Sequence, residues 1–442
     1  METLEIKPNH QQPDAERVRD LQHKLYRKAK QEKRFKFYIL YDKISQPHIL
    51  REAYKRIKMK KGSPGVDGVD FNEIENYGVG KYLSEIALEL VGKTYKPQPV
   101  LRVEIPKPNG TTRPLGIPTI KDRIIQKAVT LVIEPIFEAD FEESSYGFRP
   151  HRSASGAITA IKKNLQGGKT NVYDGDLKSY FDTIPHKELM ELIANRISDK
   201  NILHLIKMWL KAPVIEKGRP TGGKKNKLGV PQGGVISPLL ANIYLHLFDQ
   251  TVNKLGGLYQ QSSVKIIRYA DDFVLMASQI PESCLAHMKS MFTNMKLSLN
   301  ADKSKLLSAS EEAFDFLGFT FRYSDDLHGR PLKYWNVEPS KKSQHNIRGK
   351  VRTYLSLNGH KSPDELSYGL NSILRGWLNY FTIKGISYPN KAKRALRYYL
   401  VQKLTRYYKR KSQRKSKLYH QGAYRQLTTK YGLIDPTKYA QS

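Results

Sequence analysis

The residues with the clearest chemical meaning are two adjacent aspartates, Asp271 and Asp272, within Ile266-Ile267-Arg268-Tyr269-Ala270-Asp271-Asp272-Phe273-Val274-Leu275-Met276. Two apolar runs flanking a brief polar connection read as a tight β-hairpin. Both carboxylates then sit at its tip, against walls that do not solvate them. Two crowded anions are unfavourable there without cations, and hard divalent ions with oxygen ligands are the natural counter-charge. The pair Asp325-Asp326 serves as a control: Ser324 precedes it, Leu327-His328-Gly329 follows, and it reads as a solvated turn. A second acidic group, Asp174, Asp176 and Asp182, surrounds Leu177-Lys178-Ser179-Tyr180-Phe181. Asp176 falls at the end of a predicted strand, where it can meet the hairpin from an adjacent strand. Asp174 and Asp182 read as ordinary strand-end or capping acids. One acid from each strand is what a pair of Mg²⁺ ions needs to bridge a triphosphate and an attacking hydroxyl.

The elements that must position these acids follow from the local pattern. Residues 171–177 and 264–269 are rich in β-branched and aromatic side chains and predict strands; 186–197 and 238–252 predict helices, the second capped by Ser237 with Pro238 in its first turn. That mixture predicts an α+β core with an antiparallel sheet. Upstream, 14–31 reads as a basic amphipathic helix with Val18, Leu21 and Leu25 on its apolar stripe. Helical sequence continues to about Lys61, and a Gly- and Pro-rich turn occupies 61–68. Pro97, Pro99, Pro106, Pro108, Pro114 and Pro118 suit hairpins and loops.

Charge narrows the partner. Lys and Arg number 75 against 42 Asp and Glu, a formal net charge of +33. Such a surface repels itself unless polyanions screen it, so nucleic acid is the first partner to consider. A membrane surface is the competitor, but no apolar run approaches bilayer-spanning length, and METLEIKPNH shows no signal-peptide pattern. Residues 341–442 hold 23 basic residues against Asp364, Glu365 and Asp435. Within them 391–417 has twelve Lys or Arg and no acid, with Tyr398, Tyr399, Tyr407 and Tyr408 interleaved. Leu396, Leu400, Leu404 and Tyr408 mark one apolar face of a basic helix, leaving a phosphate-tracking surface with tyrosines to stack on bases. Cys284, the single cysteine, excludes intrachain disulfides and reads as a small packed residue.

Several blocks in order resemble the group II intron reverse transcriptase/maturase family. Arg102-Val103-Glu104-Ile105-Pro106-Lys107-Pro108-Asn109-Gly110 with Arg113-Pro114-Leu115-Gly116-Ile117-Pro118-Thr119 resembles its first fingers block, and Ser145-Tyr146-Gly147-Phe148-Arg149-Pro150 the second. Asp176 to Asp182 resembles the block with the first catalytic aspartate. Gly229-Val230-Pro231-Gln232-Gly233-Gly234-Val235-Ile236-Ser237-Pro238 resembles the nucleotide-site block, and Tyr269-Ala270-Asp271-Asp272 the family tetrapeptide. Leu299-Asn300-Ala301-Asp302-Lys303-Ser304-Lys305, Phe316-Leu317-Gly318-Phe319 and Gly376-Trp377-Leu378-Asn379-Tyr380-Phe381 complete the set, which spans roughly 60 to 385.

The resemblance implies a right-hand polymerase of fingers, palm and thumb, with an antiparallel palm sheet and a helical basic C-terminal region. Its domains would be 1–90, an N-terminal extension and the start of the fingers; 91–335, fingers and palm; 336–390, the thumb/maturase region; and 391–442, a basic DNA-binding tail. Asp176, Asp271 and the Leu177 backbone carbonyl would hold two Mg²⁺ ions, with Asp272 in support. Arg113 and Lys107 would contact the incoming triphosphate, although Lys107 also fits a solvated basic hairpin. Phe181 would exclude a ribose 2′-OH; by itself it reads as core packing. Gln232 and Gly233 would line the nascent base pair, in a stretch that also suits a helix-initiating turn. Lys305 is a candidate acid for the leaving pyrophosphate, with Lys303 close by. Nucleic acid would be held by Arg375, Lys391, Lys393, Arg394, Arg397, Arg406, Lys409, Arg410 and Lys411.

Implied partners are structured intron RNA, an RNA template with a DNA or RNA primer, target DNA and dNTPs, in the bacterial cytoplasm. The sequence stops without the paired cysteines of the family's HNH endonuclease, which implies a compact member lacking that domain. Two rivals stand beside this reading: an RNA-binding splicing factor with a vestigial polymerase, and a related reverse transcriptase recruited to host defence or repair.

Overall fold

Apolar residues three and four apart build the first element, α1 (Asp14–Gln31), which buries Val18, Leu25 and Ala29. In this computed structural model, residues 13–106, 112–216, 218–223, 226–325, 331–411 and 416–440 are described. Lys107 and Asp326 lie outside them. Next come α2 (Tyr41–Ile44), α3 (Pro47–Lys58), α4 (Phe71–Tyr77) and α5 (Val79–Val91). The proline-rich stretch forms a hairpin of β1 (Val100–Pro106) and β2 (Thr112–Ile117). Helix α6 (Ile120–Glu138) is buried along most of its length, and α1 and α3 pack on it. Its first turn is capped by Thr119, whose hydroxyl accepts from the Asp122 N–H at 3.1 Å.

After α7 (Ala154–Gln166) come β3 (Asn171–Asp176), α8 (Tyr180–Thr183), α9 (His186–Ala194) and α10 (Lys200–Leu210). The hairpin β4 (Pro213–Glu216) and β5 (Arg219–Gly222) leads to α11 (Ser237–Asn253) and α12 (Leu258–Gln261). Then follow β6 (Lys265–Tyr269), β7 (Asp272–Ala277), α13 (Glu282–Asn294) and β8 (Lys305–Ser308). The remaining strands are β9 (Phe314–Phe316), β10 (Phe319–Asp325) and β11 (Lys333–Pro339); five helices close the chain, α14 (Lys341–Leu357), α15 (Pro363–Phe381), α16 (Asn390–Arg410), α17 (Lys417–His420) and α18 (Ala423–Lys430).

The central sheet has the order β6-β7-β3-β8 and is antiparallel throughout. Its strands alternate between two apolar clusters. Tyr173, Ile266, Phe273, Leu275 and Ala277 join the core built on α6 and α11. Val172, Ile267, Val274, Met276 and Leu307 join a second core shared with α7 and the C-terminal helices. A sheet covered on both faces explains why the runs beside Asp271 are continuously apolar rather than alternating. A second sheet, β2-β1-β4-β5, is mixed, because β1 and β4 run parallel. The third, β11-β10-β9, is antiparallel and leads into α14.

Three local expectations need correction. Ser237 does not cap α11: the capping position is Ile236, and the Ser237 hydroxyl donates to the Pro231 carbonyl at 2.7 Å. That bond ties the helix start to the preceding loop. Asp325 is the last residue of β10, opposite Lys333, rather than part of a turn. The helix predicted over 186–197 ends at Ala194. Cys284 is fully buried, in keeping with a packing role. Among the described residues no helix is long and apolar enough to cross a membrane.

Candidate active site

Strand pairing brings the two acidic groups together. β3 lies beside β7, and the register sets Asp176 directly opposite Asp272. Facing residues of an antiparallel pair share one side of the sheet. Asp174 is one alternation back on that same side, opposite Lys305 of β8. The hairpin turn consists of Ala270 and Asp271, because Tyr269 and Asp272 already pair. Only Asp271 therefore occupies the tip, while Asp272 begins β7. Burial, reinforced by Asp271 and Asp176, pushes the Asp272 carboxyl up to about 7. Burial likewise raises Asp271, and it lifts Asp174 to about 6 despite the Lys305 ammonium. Asp174 thus lies on the same side of the sheet as Asp176 and feels its charge.

The hairpin is held from beneath by Arg268, a residue the motif reading passed over. Its side chain is fully buried and pairs with Asp249 of α11, Nε to Oδ1 at 2.8 Å. It also donates to Asn242 Oδ1 at 3.1 Å, Ser145 Oγ at 2.7 Å and the Ala270 carbonyl at 2.8 Å. Ala270 has φ +59°, a left-handed conformation unusual for a residue with a Cβ. The Arg268 bond to its carbonyl opposes that strain. Asn242 in turn donates to the Gly147 carbonyl at 2.8 Å. A Cβ on Gly147 would lie 2.3 Å from Ala270 N, so only glycine permits this approach. An arginine placed directly after the apolar pair Ile266-Ile267 was the sequence signal for this network.

On the far side Asp176 is gripped by the segment before β8. Its Oδ2 accepts from Asn300 Nδ2 and Lys303 Nζ, both at 2.9 Å, and its N–H donates to Ser304 Oγ at 3.2 Å. Lys305 is directed elsewhere, donating to Glu312 at 2.5 Å. Of the two lysines, Lys303 is therefore the one hydrogen-bonded to Asp176, while Lys305 lies across from Asp174. Leu177, whose carbonyl was an expected ligand, is buried beside Leu299 in an isolated bridge.

A second cluster adjoins the acids. Arg113 of β2 donates through Nε to Gln232 Oε1 at 2.7 Å, and Gln232 Nε2 lies 3.4 Å from Asp182 Oδ2. Asp182 was expected to be a capping or strand-end acid; it instead ends this polar chain. The Gln232 carbonyl accepts from the Gly116 N–H at 2.5 Å. Gly233 has φ +110°, and a Cβ there would sit 2.3 Å from the Gly116 carbonyl oxygen, so both conformation and contact require glycine. Phe181 is 7% exposed and packs edge-on against Tyr180, while its carbonyl accepts from the Val230 N–H at 2.7 Å.

The basic end divides into exposed and engaged residues. Arg375, Lys391, Arg394, Arg406, Lys409 and Arg410 are exposed. Lys393 is buried, so it does not belong to an open phosphate-tracking surface. Arg397 pairs with Asp435 at 3.2 Å, and Lys411 donates to the Lys361 carbonyl at 2.7 Å. Leu396, Leu400, Leu404 and Tyr408 are all buried, on the apolar face read from their spacing. That burial corrects the stacking expectation: Tyr408 is inside, Tyr399 donates to the Arg348 carbonyl at 3.0 Å, and Tyr398 alone of the four is broadly exposed, at 66%.

The acids at this edge of the sheet offer only oxygen ligands, while Asn300 and Lys303 donate to Asp176. Such a set suits a hard divalent cation. Among the described residues, however, no three His, Cys, Asp or Glu side chains converge on one metal-sized position as they stand.

Residues 105–321 match the family described as reverse transcriptase (RNA-dependent DNA polymerase), and 344–426 match the group II intron, maturase-specific domain. Protein YkfC of Escherichia coli (strain K12) is 39% identical over 314 residues, covering 62% of this chain and 80% of YkfC. The group II intron-encoded protein LtrA of Lactococcus lactis subsp. cremoris is 32% identical over 343 residues, covering 64% of this chain and 56% of LtrA. A solved chain titled "Partial Cas6-RT-Cas1--Cas2 complex" shares 26% identity over 57% of this chain and 42% of its own, at a TM-score of 0.35, too low to bear on the fold. With a reverse transcriptase domain followed by a maturase domain, the chain belongs to the group II intron reverse transcriptase/maturase family. It spans just over half the length of LtrA.

Proposed function

We propose that the chain is an RNA-directed DNA polymerase that also binds its intron RNA to assist splicing and supports intron mobility by target-primed reverse transcription. The observation that carries this reading is the facing pair Asp176 and Asp272 with Asp271 in the adjoining turn, in a chain of this family. The central sheet would be the palm of a right-hand architecture and the β2-β1-β4-β5 sheet part of the fingers, both within 91–335. Residues 1–90 would complete the fingers, 336–390 would be the thumb/maturase region, and 391–442 a DNA-binding tail.

Asp176 and Asp271, with Asp272 and the Leu177 carbonyl in support, would hold two Mg²⁺ ions, whose chemistry is to lower the primer hydroxyl pKa and offset charge on the triphosphate. The chain's own groups do the rest. Arg113 grips the triphosphate through its planar guanidinium, and Gln232 holds Nε so that the remaining donors face the ligand. Gly233 lets backbone approach the nascent base pair. Phe181 fills the space a ribose 2′-OH would need. Lys303, already at Asp176, is better placed than Lys305 to give a proton to the leaving pyrophosphate. The exposed Arg375 of α15 engages phosphates of the intron RNA, and the exposed cations of α16 engage those of the target DNA.

Primer extension on an RNA template tests the polymerase reading. Wild-type protein extends with dNTPs and Asp271→Ala does not; equal inactivity of the two would overturn it. Splicing of the flanking intron RNA with and without protein tests the maturase role.

A further inference from the structure

A groove of about 980 Å³ runs between α9 and α10 and the loop at 226–228, outside the carboxylate site. It shares Leu210, Asn226 and Leu228 with the cleft that contains Gln232, so one surface leads from the polar cluster outward along α10. The join is built into the backbone: Pro185 bridges Leu228, and the His186 N–H donates to the Lys227 carbonyl at 3.0 Å.

Six lysines rim this groove: Lys187, Lys200, Lys207, Lys211, Lys227 and Lys296. Lys187 and Lys296 are matched by Glu191 and Glu188. The other four form no ion pair among the described residues. Lys200, His204, Lys207 and Lys211 recur at intervals of four, three and four, one basic group per helical turn of about 5.4 Å on a single side of α10. Uncompensated cations in a row repel one another and favour a ligand with negative charges in a row. The floor between them is aliphatic, formed by Pro185, Met190, Leu203, Leu210 and Leu228.

We propose that this groove carries the single-stranded part of the template not yet copied, with its phosphates along the α10 lysines and its bases against the aliphatic floor. The proposal rests on the polymerase reading. Charge complementarity and continuity with the Gln232 cleft select a nucleic-acid strand over other polyanions: a strand is the one ligand that must extend from a nascent base pair to a site beyond it.

The test compares two primer–template duplexes, one with a long single-stranded 5′ template extension and one with a single overhanging nucleotide. Binding of each is measured against salt for wild type and for Lys200→Ala/Lys207→Ala/Lys211→Ala. For the long extension, the slope of log affinity against log salt is expected to shrink by about 2, since each phosphate contact on a single strand contributes about 0.7. For the single-nucleotide overhang, binding and extension are expected to match wild type, which also shows that the variant is folded. Equal loss on both duplexes, or no loss on either, would overturn the proposal. So would competition by an acidic amphipathic peptide that displaces both duplexes alike, which would make the groove a protein-docking surface. Failure of wild type to extend either duplex would instead count against the polymerase reading, because the salt slopes are read from binding alone.

Discussion

Arg268 and Asp249 form an ion pair entirely shielded from solvent, and the same guanidinium holds the carbonyl of Ala270 in the turn that carries Asp271. The hairpin's geometry thus depends on a charge pair in the core. Buried pairs are expensive to break from one side, because the survivor is left charged in a low-dielectric setting. Arg268→Met is expected to destabilise the fold by about 3–5 kcal/mol. The double change Arg268→Met/Asp249→Leu should recover much of that loss in chemical denaturation, yet leave primer extension impaired because Ala270 has lost its donor. Full recovery of extension would show that the pair does not position the turn.

Asp176→Ala and Asp271→Ala should each reduce primer extension to background while leaving RNA affinity close to wild type. Phosphate contacts dominate nucleic-acid affinity, and neither residue makes one. Filter binding at several salt concentrations, alongside extension, separates the two effects.

The raised carboxyl of Asp272 makes stability depend on pH. Its folded value of about 7 exceeds the model-peptide value of 3.8, so the folded state keeps a proton that the unfolded chain releases. The associated stability is fully present below about pH 4 and is lost as pH rises through 7. Thermal unfolding in EDTA should therefore show a falling Tm between those limits, a modest fall because the Asp272 side chain is exposed and partly screened by solvent. Asp272→Asn should flatten the profile, and added Mg²⁺ should restore wild-type Tm at high pH. A wild-type profile unchanged by Asp272→Asn would assign the dependence to other groups.

Gly233→Ala should weaken nucleotide use more than folding. The new Cβ meets the Gly116 carbonyl in a backbone region that L-residues avoid, at a strain of roughly 1–3 kcal/mol. Relief by moving the loop displaces Gln232 from Arg113. The expected signature is a KM for dNTP raised by about tenfold or more with a smaller change in Tm.

Phe181→Val should open space beside the nucleotide sugar. Selectivity for dNTP over rNTP, measured as a ratio of kcat/KM values, is expected to fall by about tenfold or more. An unchanged ratio would leave Phe181 as core packing only, a role its 7% exposure also fits.

Much of the site was legible in the residues themselves because its signals are local. Apolar runs about Asp271-Asp272, a strand ending at Asp176 and ordered motifs identified the acids and the family. The spacing of Leu396, Leu400, Leu404 and Tyr408 likewise identified a buried helix face. What local pattern cannot carry is the partner of each group across the fold. Strand register decided that Asp272 faces Asp176 and that Asp174 shares their side of the sheet. Three-dimensional proximity decided that Lys303 rather than Lys305 meets Asp176, that Lys393 is buried among cations that are not, and that Arg268 of β6 reaches Asp249 of α11. Each of these pairings joins residues well separated along the chain or chooses between near neighbours by the direction of a side chain. Periodicity and propensity report on a residue's own turn or strand, whereas the charge and orientation of a site are set by whatever packs against it.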